Sequence, residues 1–496
     1  MTSLTGKERP YRFEVSASAA EVCKRFSGLE PGEESGASVS VAGRIMLSRP
    51  QGRYVFIQLK DSGGSIQLFG VEGVAKDLKE LGRLSLGDWV GATGEVVRTR
   101  RGELSVKVTT WVLLAESRHG LGDKWKGVSD VELRYRRREL DLWVNDESRA
   151  RLVARSAMIS HLRRWLEGRG FIEVETPILH PVAGGASARP FVTHHNSLDA
   201  DLYLRIAPEL YLKRLVIGGF ERVFEIGRVF RNEGISPRHN PEFTMLELYQ
   251  AYADYRDLMV LCEQLVSDLA REITGSTRLV YGDRVLDVTP PWRRATMFEL
   301  ISEHTGVDVS VEMPLSELRR LASGLGVPVQ DGWGPGKAVL EIYEKTTEAN
   351  LWDPVLVCDY PKEVSPLARE HRSAAALAER FEAVLAGREL ANAFSELADP
   401  DEQRARFESQ MALRAHGDEE AMELDEDYLR ALEDGLPPTA GMGIGIDRLA
   451  MLLLNAQSIR EVIAFPTLRP AGGSFRGPAS AGLAGVSGDD REIFEQ

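Results

Sequence analysis

The sequence predicts an α+β protein in two unequal parts, a small five-stranded β-barrel followed by a much larger domain of mixed strands and helices. Three observations carry that expectation. Between residues 38 and 114, short β-rich segments alternate with turn signals. Residues 230–249 read as a β-hairpin crowded with arginine, histidine, aromatic and acidic side chains. Near the C-terminus, Gly441, Gly443 and Gly445 alternate with apolar residues ahead of an apolar helix. At 496 residues the chain is also too long for one core.

In the first part the β-rich segments are 39–46, 54–59, 66–69, 89–96 and 104–108, with turns at Asp61-Ser62-Gly63-Gly64 and Arg101-Gly102. Val74, Leu78 and Leu81 give the stretch after the third segment a helical face. The order strand, strand, strand, helix, strand, strand suggests an OB-fold barrel, a fold that often binds single-stranded nucleic acid on one sheet face. Phe56 and Gln67 are candidates for that face. Taken alone, an aromatic such as Phe56 is more often core, and Gln67 and Glu103 are ordinary strand or turn residues. The run 130–141 that follows holds Arg134, Arg136, Arg137 and Arg138. It is a linker with a solvated helix face, or a surface for an RNA backbone.

In the second part, Leu152, Met158, Ile159, Leu162, Trp165 and Leu166 predict an amphipathic helix over 147–168. Residues 171–177 predict a strand that Pro177 confines to an edge, a plausible seam between two copies. In the second arm of the hairpin, Phe243, Met245, Glu247 and Tyr249 share one face and Thr244, Leu246 and Leu248 the other. Arg231 and Glu233 end the first arm, while Arg238, His239 and Asn240 occupy the connection, where cations can close over phosphates. Glu382 and Glu389 are candidates for magnesium bound between carboxylates and phosphate. Asn392, Phe394 and Glu396 share a strand face from which Glu389 is excluded by parity, so either a bulge intervenes or Glu389 precedes the regular strand. The glycine strand leaves a bare face, for close approach of a flat ligand or for tight sheet packing, with Arg448 at the head of the next helix.

Composition narrows the function class. Apolar residues make up 43% and charged residues 27%, with a formal net charge of −14, so nucleic acid would be met by local surfaces and not by bulk charge. Cys23, Cys262 and Cys358 are odd in number and far apart, which excludes a disulfide framework and a thiolate zinc site. Neither a signal peptide nor an apolar run of membrane-spanning length is visible, and the expected location is the cytoplasm.

These residues together resemble the bacterial class II lysyl-tRNA synthetases. Gly170 to Pro177 is similar to their first signature, Phe230 to Tyr249 to the second and Gly441 to Arg448 to the third. Gly184 to Pro190, Tyr203 to Lys213 and Glu389 to Leu397 resemble the lysine-specific branch. The resemblance implies ligation of L-lysine to tRNA(Lys) through a lysyl-adenylate, with ATP as co-substrate, Mg²⁺ as cofactor, and a homodimer with an antiparallel catalytic sheet flanked by helices. Arg231 and Arg448 would be catalytic. ATP would be held by Arg231, Glu233, Arg238, His239, Asn240, Phe243, Glu382, Glu389 and Arg448, with Mg²⁺ on Glu382 and Glu389. Lysine would be held by Gly185, Glu209, Arg231, Glu247, Tyr249, Asn392, Phe394 and Glu396, and the anticodon read by Phe56, Gln67 and Glu103. The implied organisation is an N-terminal extension (1–37), an OB-fold anticodon-binding domain (38–117), a linker (118–147), a class II catalytic domain (148–470) with a helical insertion at about 310–345, and a disordered tail (471–496).

The sequence also departs from that pattern. Glu139 stands where an aromatic is usual, Ala383-Val-Leu-Ala386 replaces a bulkier apolar run, and Arg372-Ser-Ala-Ala-Ala lacks the usual acid. Two other readings are a lysine ligase acting on protein or lipid, and a nucleic-acid-binding paralogue with a silent site. The barrel weighs against the first, and retention of Arg231, Phe243, Glu382, Glu389 and Arg448 against the second.

Overall fold

The computed structural model describes residues 10–118, 130–330, 332–415 and 421–469. The chain divides into two compact units, Met1–Asn145 and Asp146–Gln496. The expected tail, 471–496, lies outside the described residues, as do parts of the expected extension and linker.

In the first unit β1 (Glu34–Gln51), β2 (Tyr54–Lys60), β3 (Ser65–Val71), β4 (Trp89–Arg98) and β5 (Leu104–Ala115) follow the expected order, with the helix Leu78–Leu81 between β3 and β4. Alternation puts Val55, Ile57 and Leu59 of β2 and Ile66 and Leu68 of β3 inside. Pairing runs β1-β2-β3-β5-β4 and returns from β4 to β1. The ring is not shut evenly. Beta-4 and β5 pair along the whole of β4, whereas β3 and β5 meet only at Gln67–Ser105, Leu68–Val106 and Phe69–Lys107, and in parallel. The expected barrel is therefore corrected to an OB-like five-stranded sheet whose ends join along one short parallel seam. The crossover through the helix and β4 makes β5 run in the same direction as β3, which leaves only this brief overlap.

The flanks of this sheet are more structured than the sequence suggested. Helix Ala19–Arg25 starts at a capping box between Ser18 and Glu21 and packs Ala19 and Val22 into the core. The arginine run forms helices Val131–Arg136 and Arg138–Val144. It is not uniformly solvated: Arg138 is 2% exposed and pairs with Asp141 at 2.7 Å, and Asp141 also takes Arg134 Nε at 2.8 Å. Trp143 stands edge-on to Trp89 with ring centroids 4.7 Å apart, and the Arg44 guanidinium lies over both rings.

The second unit is built on an eight-stranded sheet ordered Arg293–Thr296, Val355–Cys358, Arg380–Leu385, Arg388–Ser395, Thr439–Gly445, Glu242–Ala251, Arg222–Phe230, Ile172–Glu173. The expectation of an antiparallel sheet holds for the six central strands and is corrected at both edges. Arg293–Thr296 runs parallel to Val355–Cys358, and Ile172–Glu173 runs parallel to Arg222–Phe230. Long connections precede both parallel pairings, as parallel geometry requires. Of the strand expected over 171–177, only Ile172–Glu173 is regular, followed by a bond from Val174 N to Phe224 O at 2.9 Å.

Helices Asp146–Glu167, Tyr255–Thr274 and Ile446–Leu453 cover one face of the sheet. Leu258, Cys262, Leu265 and Leu269 recur at helical spacing and meet Leu246, Leu248, Met442 and Ile444 of the central strands. Each fully buried leucine contributes about 1.5–3 kcal/mol. Helices Met297–Thr305, Leu315–Gly324 and Pro335–Thr346 build a separate core with Val355 and Val357 at the sheet edge. Part of the opposite face packs Val223, Tyr249 and Ala251 against helices Glu209–Ile217 and Glu426–Glu433, and the rest is left open.

Candidate active site

A cavity of about 330 Å³ opens on that face. Its floor is the glycine strand. Gly441 lies opposite Tyr249 on one side and Phe394 on the other, and Gly443 lies opposite Glu247 and Asn392. Both neighbouring strands can thus lean their side chains over the bare strand between them. At Gly441 a Cβ would collide with Glu396 Oε1 and the Tyr249 ring, so tight packing of pocket side chains explains the glycine there.

The acidic strand resolves its parity by a bulge. Ala383 faces Ala391 but Val384 faces Glu389, which leaves Leu390 supernumerary. Leu390 and Ala391 both turn into the core, while Glu389, Asn392 and Phe394 line the cavity.

At one end of the cavity lie Gly185, Glu209, Glu247, Tyr249, Asn392 and Phe394, with Glu396 buried beside them over Gly441. Gly185 has φ +88°, and its Cα faces Glu209 so closely that a Cβ would lie 3.2 Å from the Glu209 Cβ. Tyr249 Oη donates to Glu247 Oε2 at 3.2 Å. Burial, reinforced by Glu209, pushes the Glu247 carboxyl up to about 8. Burial also drives Glu209 and Glu396 upward against the pull of Lys213. Lys213, fully buried, donates to Glu209 Oε1 at 2.6 Å and pairs with Glu396.

At the other end Arg231, Glu233, Arg238, His239, Asn240, Phe243, Glu382, Glu389 and Arg448 converge. The Arg231 guanidinium lies 5.2 Å over the Phe243 ring, and its Nε has no partner among the described residues. Arg448 Nη1 donates to Glu389 O at 2.8 Å and to Glu389 Oε2 at 3.0 Å. The structure therefore places Phe243 under Arg231 and turns Arg448 to Glu389. Asn240 is buried with its amide engaged, donating to Glu242 O at 2.7 Å and accepting from Thr467 N at 3.1 Å. His239 and Arg238 are exposed in a turn around Ser236 Oγ. Burial and neighbouring Arg448 lower the His239 pKa, which favours the neutral ring.

Glu382 and Glu389 stand on paired strands. Burial, reinforced by Glu389, raises Glu382 to about 7, whereas at Glu389 burial is overcome by Arg448, Arg231 and Arg380 together, which hold it low. Two mutually repelling carboxylates lining one cavity fit a dication that takes its other ligands from water and phosphate oxygens. Among the described residues there is no group of three or more His, Cys, Asp or Glu placed to hold a metal by themselves.

One cavity residue, Arg380, and one buried behind the cavity, Lys213, are not singled out by the sequence. Arg380 donates to Asn392 Oδ1 at 3.0 Å and to Glu382 Oε1 at 2.6 Å, bridging the two ends. Lys213 closes the Tyr203–Lys213 stretch; its helix Glu209–Ile217 carries Glu209 one turn earlier, an i, i+4 pairing the sequence does show.

In the first unit, Phe56 is half-buried on the outer face of the sheet and stacks on Phe69, centroids 5.0 Å apart and 8° from parallel. It is not core. Tyr54 stacks on the same Phe69 at 5.8 Å, so three aromatics form the surface where one was expected. Gln67 lies on the same face and donates to Ser105 Oγ at 2.8 Å, while Glu103 is exposed just before β5.

Comparison with known proteins decides the family. The description "tRNA synthetases class II (D, K and N)" matches residues 130–469, and "OB-fold nucleic acid binding domain" matches residues 39–114. A lysine–tRNA ligase of Prochlorococcus marinus is 53% identical over 479 residues, covering 93% of this chain and 94% of the relative. The chain belongs to the lysine–tRNA ligase family. Further members include the lysine–tRNA ligase of Moorella thermoacetica, 53% identical over 461 residues (92% of this chain, 93% of the relative), and that of Trichormus variabilis, 49% identical over 473 residues (93% and 84%). In family terms the catalytic unit is of class II, and its cleft holds every residue named from the resemblance for ATP and all of those for lysine except Glu396, which borders it.

Proposed function

We propose that this cleft activates L-lysine with ATP and passes it to the 3′ end of tRNA(Lys) for protein synthesis. One observation carries the reading: a single cavity has Glu209, Glu247 and a tyrosine at one end with Glu396 buried beside them, and a cluster of arginines with three further carboxylates at the other, where Arg231 feels Glu247 as well as Glu233 and Glu389. The first end suits an alkylammonium, with Phe394 along its stem, and an apolar isostere would leave the acids without a partner. The second end suits a nucleoside triphosphate.

A lysine carboxylate oxygen attacks the α-phosphorus of ATP, the bond to the β-phosphate bridging oxygen breaks, and pyrophosphate leaves. Arg231, with Nε free, grips the carboxylate and the α-phosphate and stabilises charge as it shifts between them. Phe243 and Arg448 flank adenine once Arg448 leaves Glu389, and Glu233, Arg238 and His239 orient the phosphates and ribose. Asn240 acts by fixing the turn. Glu382 and Glu389 would hold Mg²⁺, which supplies charge neutralisation of the phosphates when bound. A terminal hydroxyl of the tRNA then attacks the lysyl carbonyl and AMP leaves. No protein nucleophile is required; the residues act by positioning and electrostatics.

The Tyr54, Phe56 and Phe69 ladder, with Gln67 and Glu103, would stack and read unpaired anticodon bases. The half-exposed Ile172 edge would join two copies as a homodimer. Among the described residues no helix is long and apolar enough to cross a membrane, and a cytoplasmic enzyme with domains at 38–117 and 148–470 is the reading we adopt. Lysine-dependent exchange of pyrophosphate into ATP with Mg²⁺, followed by charging of purified tRNA(Lys), tests the function. Absence of exchange would sink it, and exchange without charging would redirect it to another acceptor.

A further inference from the structure

We infer that Lys213 is a positioning residue that fixes amino-acid specificity, a resident ammonium that holds Glu209 and Glu396 by one oxygen each and leaves their other oxygens to the substrate. The inference rests on the lysine-activating reading of the cleft. Lys213 reaches inward from helix Glu209–Ile217 with no exposure to solvent. Its Nζ donates to Glu209 Oε1 at 2.6 Å and pairs with Glu396 Oε2, so it ties that helix to the end of strand Arg388–Ser395. The rings of Phe394 and Tyr428 lie 5.4 and 5.9 Å from it. Glu396 Oε1 is buried, accepts no hydrogen bond among the described residues, and lies over Gly441 where only a glycine leaves room.

Charge counting gives the arrangement its meaning. Glu209, Glu247 and Glu396 are three buried carboxylates, and Lys213 neutralises one of them. The two charges left are the complement of a ligand with two ammonium groups, and Arg231 is available for that ligand's carboxylate. Nearby charges are otherwise engaged, Arg380 by Glu382 and Glu225 by Arg205. A monoamino acid would leave a buried carboxylate without a counter-charge, which is strongly disfavoured. Without Lys213 the acids would repel, and protons would have to take the place of its charge.

The test uses the full-length protein in pyrophosphate exchange, with KM measured separately for lysine and ATP. Lys213→Met keeps length and apolar stem and removes the charge. The groups facing it are Glu209, Glu396, Tyr428 and, beyond them, Glu247. We expect the lysine KM to rise roughly tenfold or more at pH 8 with the ATP KM within about twofold of wild type, and the variant-to-wild-type ratio to shrink at pH 6.5. Lys213→Arg, which keeps the charge, should hold the lysine KM within about threefold of wild type and serves as the readout if Lys213→Met does not fold. An unchanged lysine KM in Lys213→Met, a ratio independent of pH, or equal rises of both KM values in either variant would overturn the inference. Absence of lysine-dependent exchange in the wild type would instead overturn the proposed function beneath it.

Discussion

Replacing Glu247 by glutamine is the perturbation that bears most directly on the cleft. In the empty pocket burial and Glu209 push this carboxyl up to about 8, so at pH 7 only roughly a tenth of it is ionised, a cost of about 1.4 kcal/mol to any ligand that needs the carboxylate. A substrate ammonium needs it, and stays charged to about pH 10. The sign follows: binding favours the ionised form, so lysine affinity rises with pH and levels off above about 8. Wild-type lysine KM in pyrophosphate exchange should therefore fall roughly twenty-five-fold between pH 6.5 and 8.5, more if Glu209 and Glu396 add their own titration, while the ATP KM moves little. Glu247→Gln removes the charge but keeps the shape and the Tyr249 contact. It should cost about 2–3 kcal/mol of lysine binding above pH 8, roughly thirty- to a hundred-and-fifty-fold in KM, and distinctly less at pH 6.5, where the wild type has already lost its charge. A lysine KM that does not change with pH in the wild type, or equal loss of lysine and ATP affinity in the variant, would refute the reasoning.

Gly441→Ala drives a methyl into Tyr249 and Glu396; it should raise lysine KM at least tenfold and lower stability by about 1–3 kcal/mol, seen as a reduced Tm. Glu389→Gln should shift the Mg²⁺ dependence of exchange to several-fold higher concentration, measured by titrating Mg²⁺ at fixed ATP. Phe69→Ala, which removes the ring between Tyr54 and Phe56, should weaken tRNA binding by about 1–3 kcal/mol in a charging assay and leave exchange unchanged. Arg138→Met takes a buried arginine from buried Asp141 and should destabilise the first unit by about 3–5 kcal/mol, read by thermal melting.

The nucleotide hairpin, the glycine strand and the five β-segments were legible because each is written as a local alternation of residue types. Phe243, Met245, Glu247 and Tyr249 face the cavity, and Leu246 and Leu248 the core, as period two requires. The bulge was legible only as a contradiction of parity, because which residue is extra depends on the neighbouring strand. Parallel edges and the short β3–β5 seam are long-range pairings with no local signature. Lys213 and Arg380 were hidden for a related reason: a basic side chain reads as surface until tertiary contacts surround it with acids. Arg138 deceived in the same way, since a run of charges does not reveal which member turns inward. The outer aromatic ladder was half seen, because Phe56 could not be assigned a side until its partners Tyr54 and Phe69 were in place.

Leu390 has a consequence for how this cleft can vary. Pairing the two strands regularly with Leu390 still in the chain would send Glu389 to the opposite side of the sheet from Asn392 and Phe394. The bulge at this one supernumerary position thus keeps Glu389 in phase with Asn392 and Phe394. Removing Leu390 would leave Glu389 two positions before Asn392, in phase by plain alternation, whereas a single insertion or deletion between Asn392 and Phe394 would turn one of those two away from the cavity.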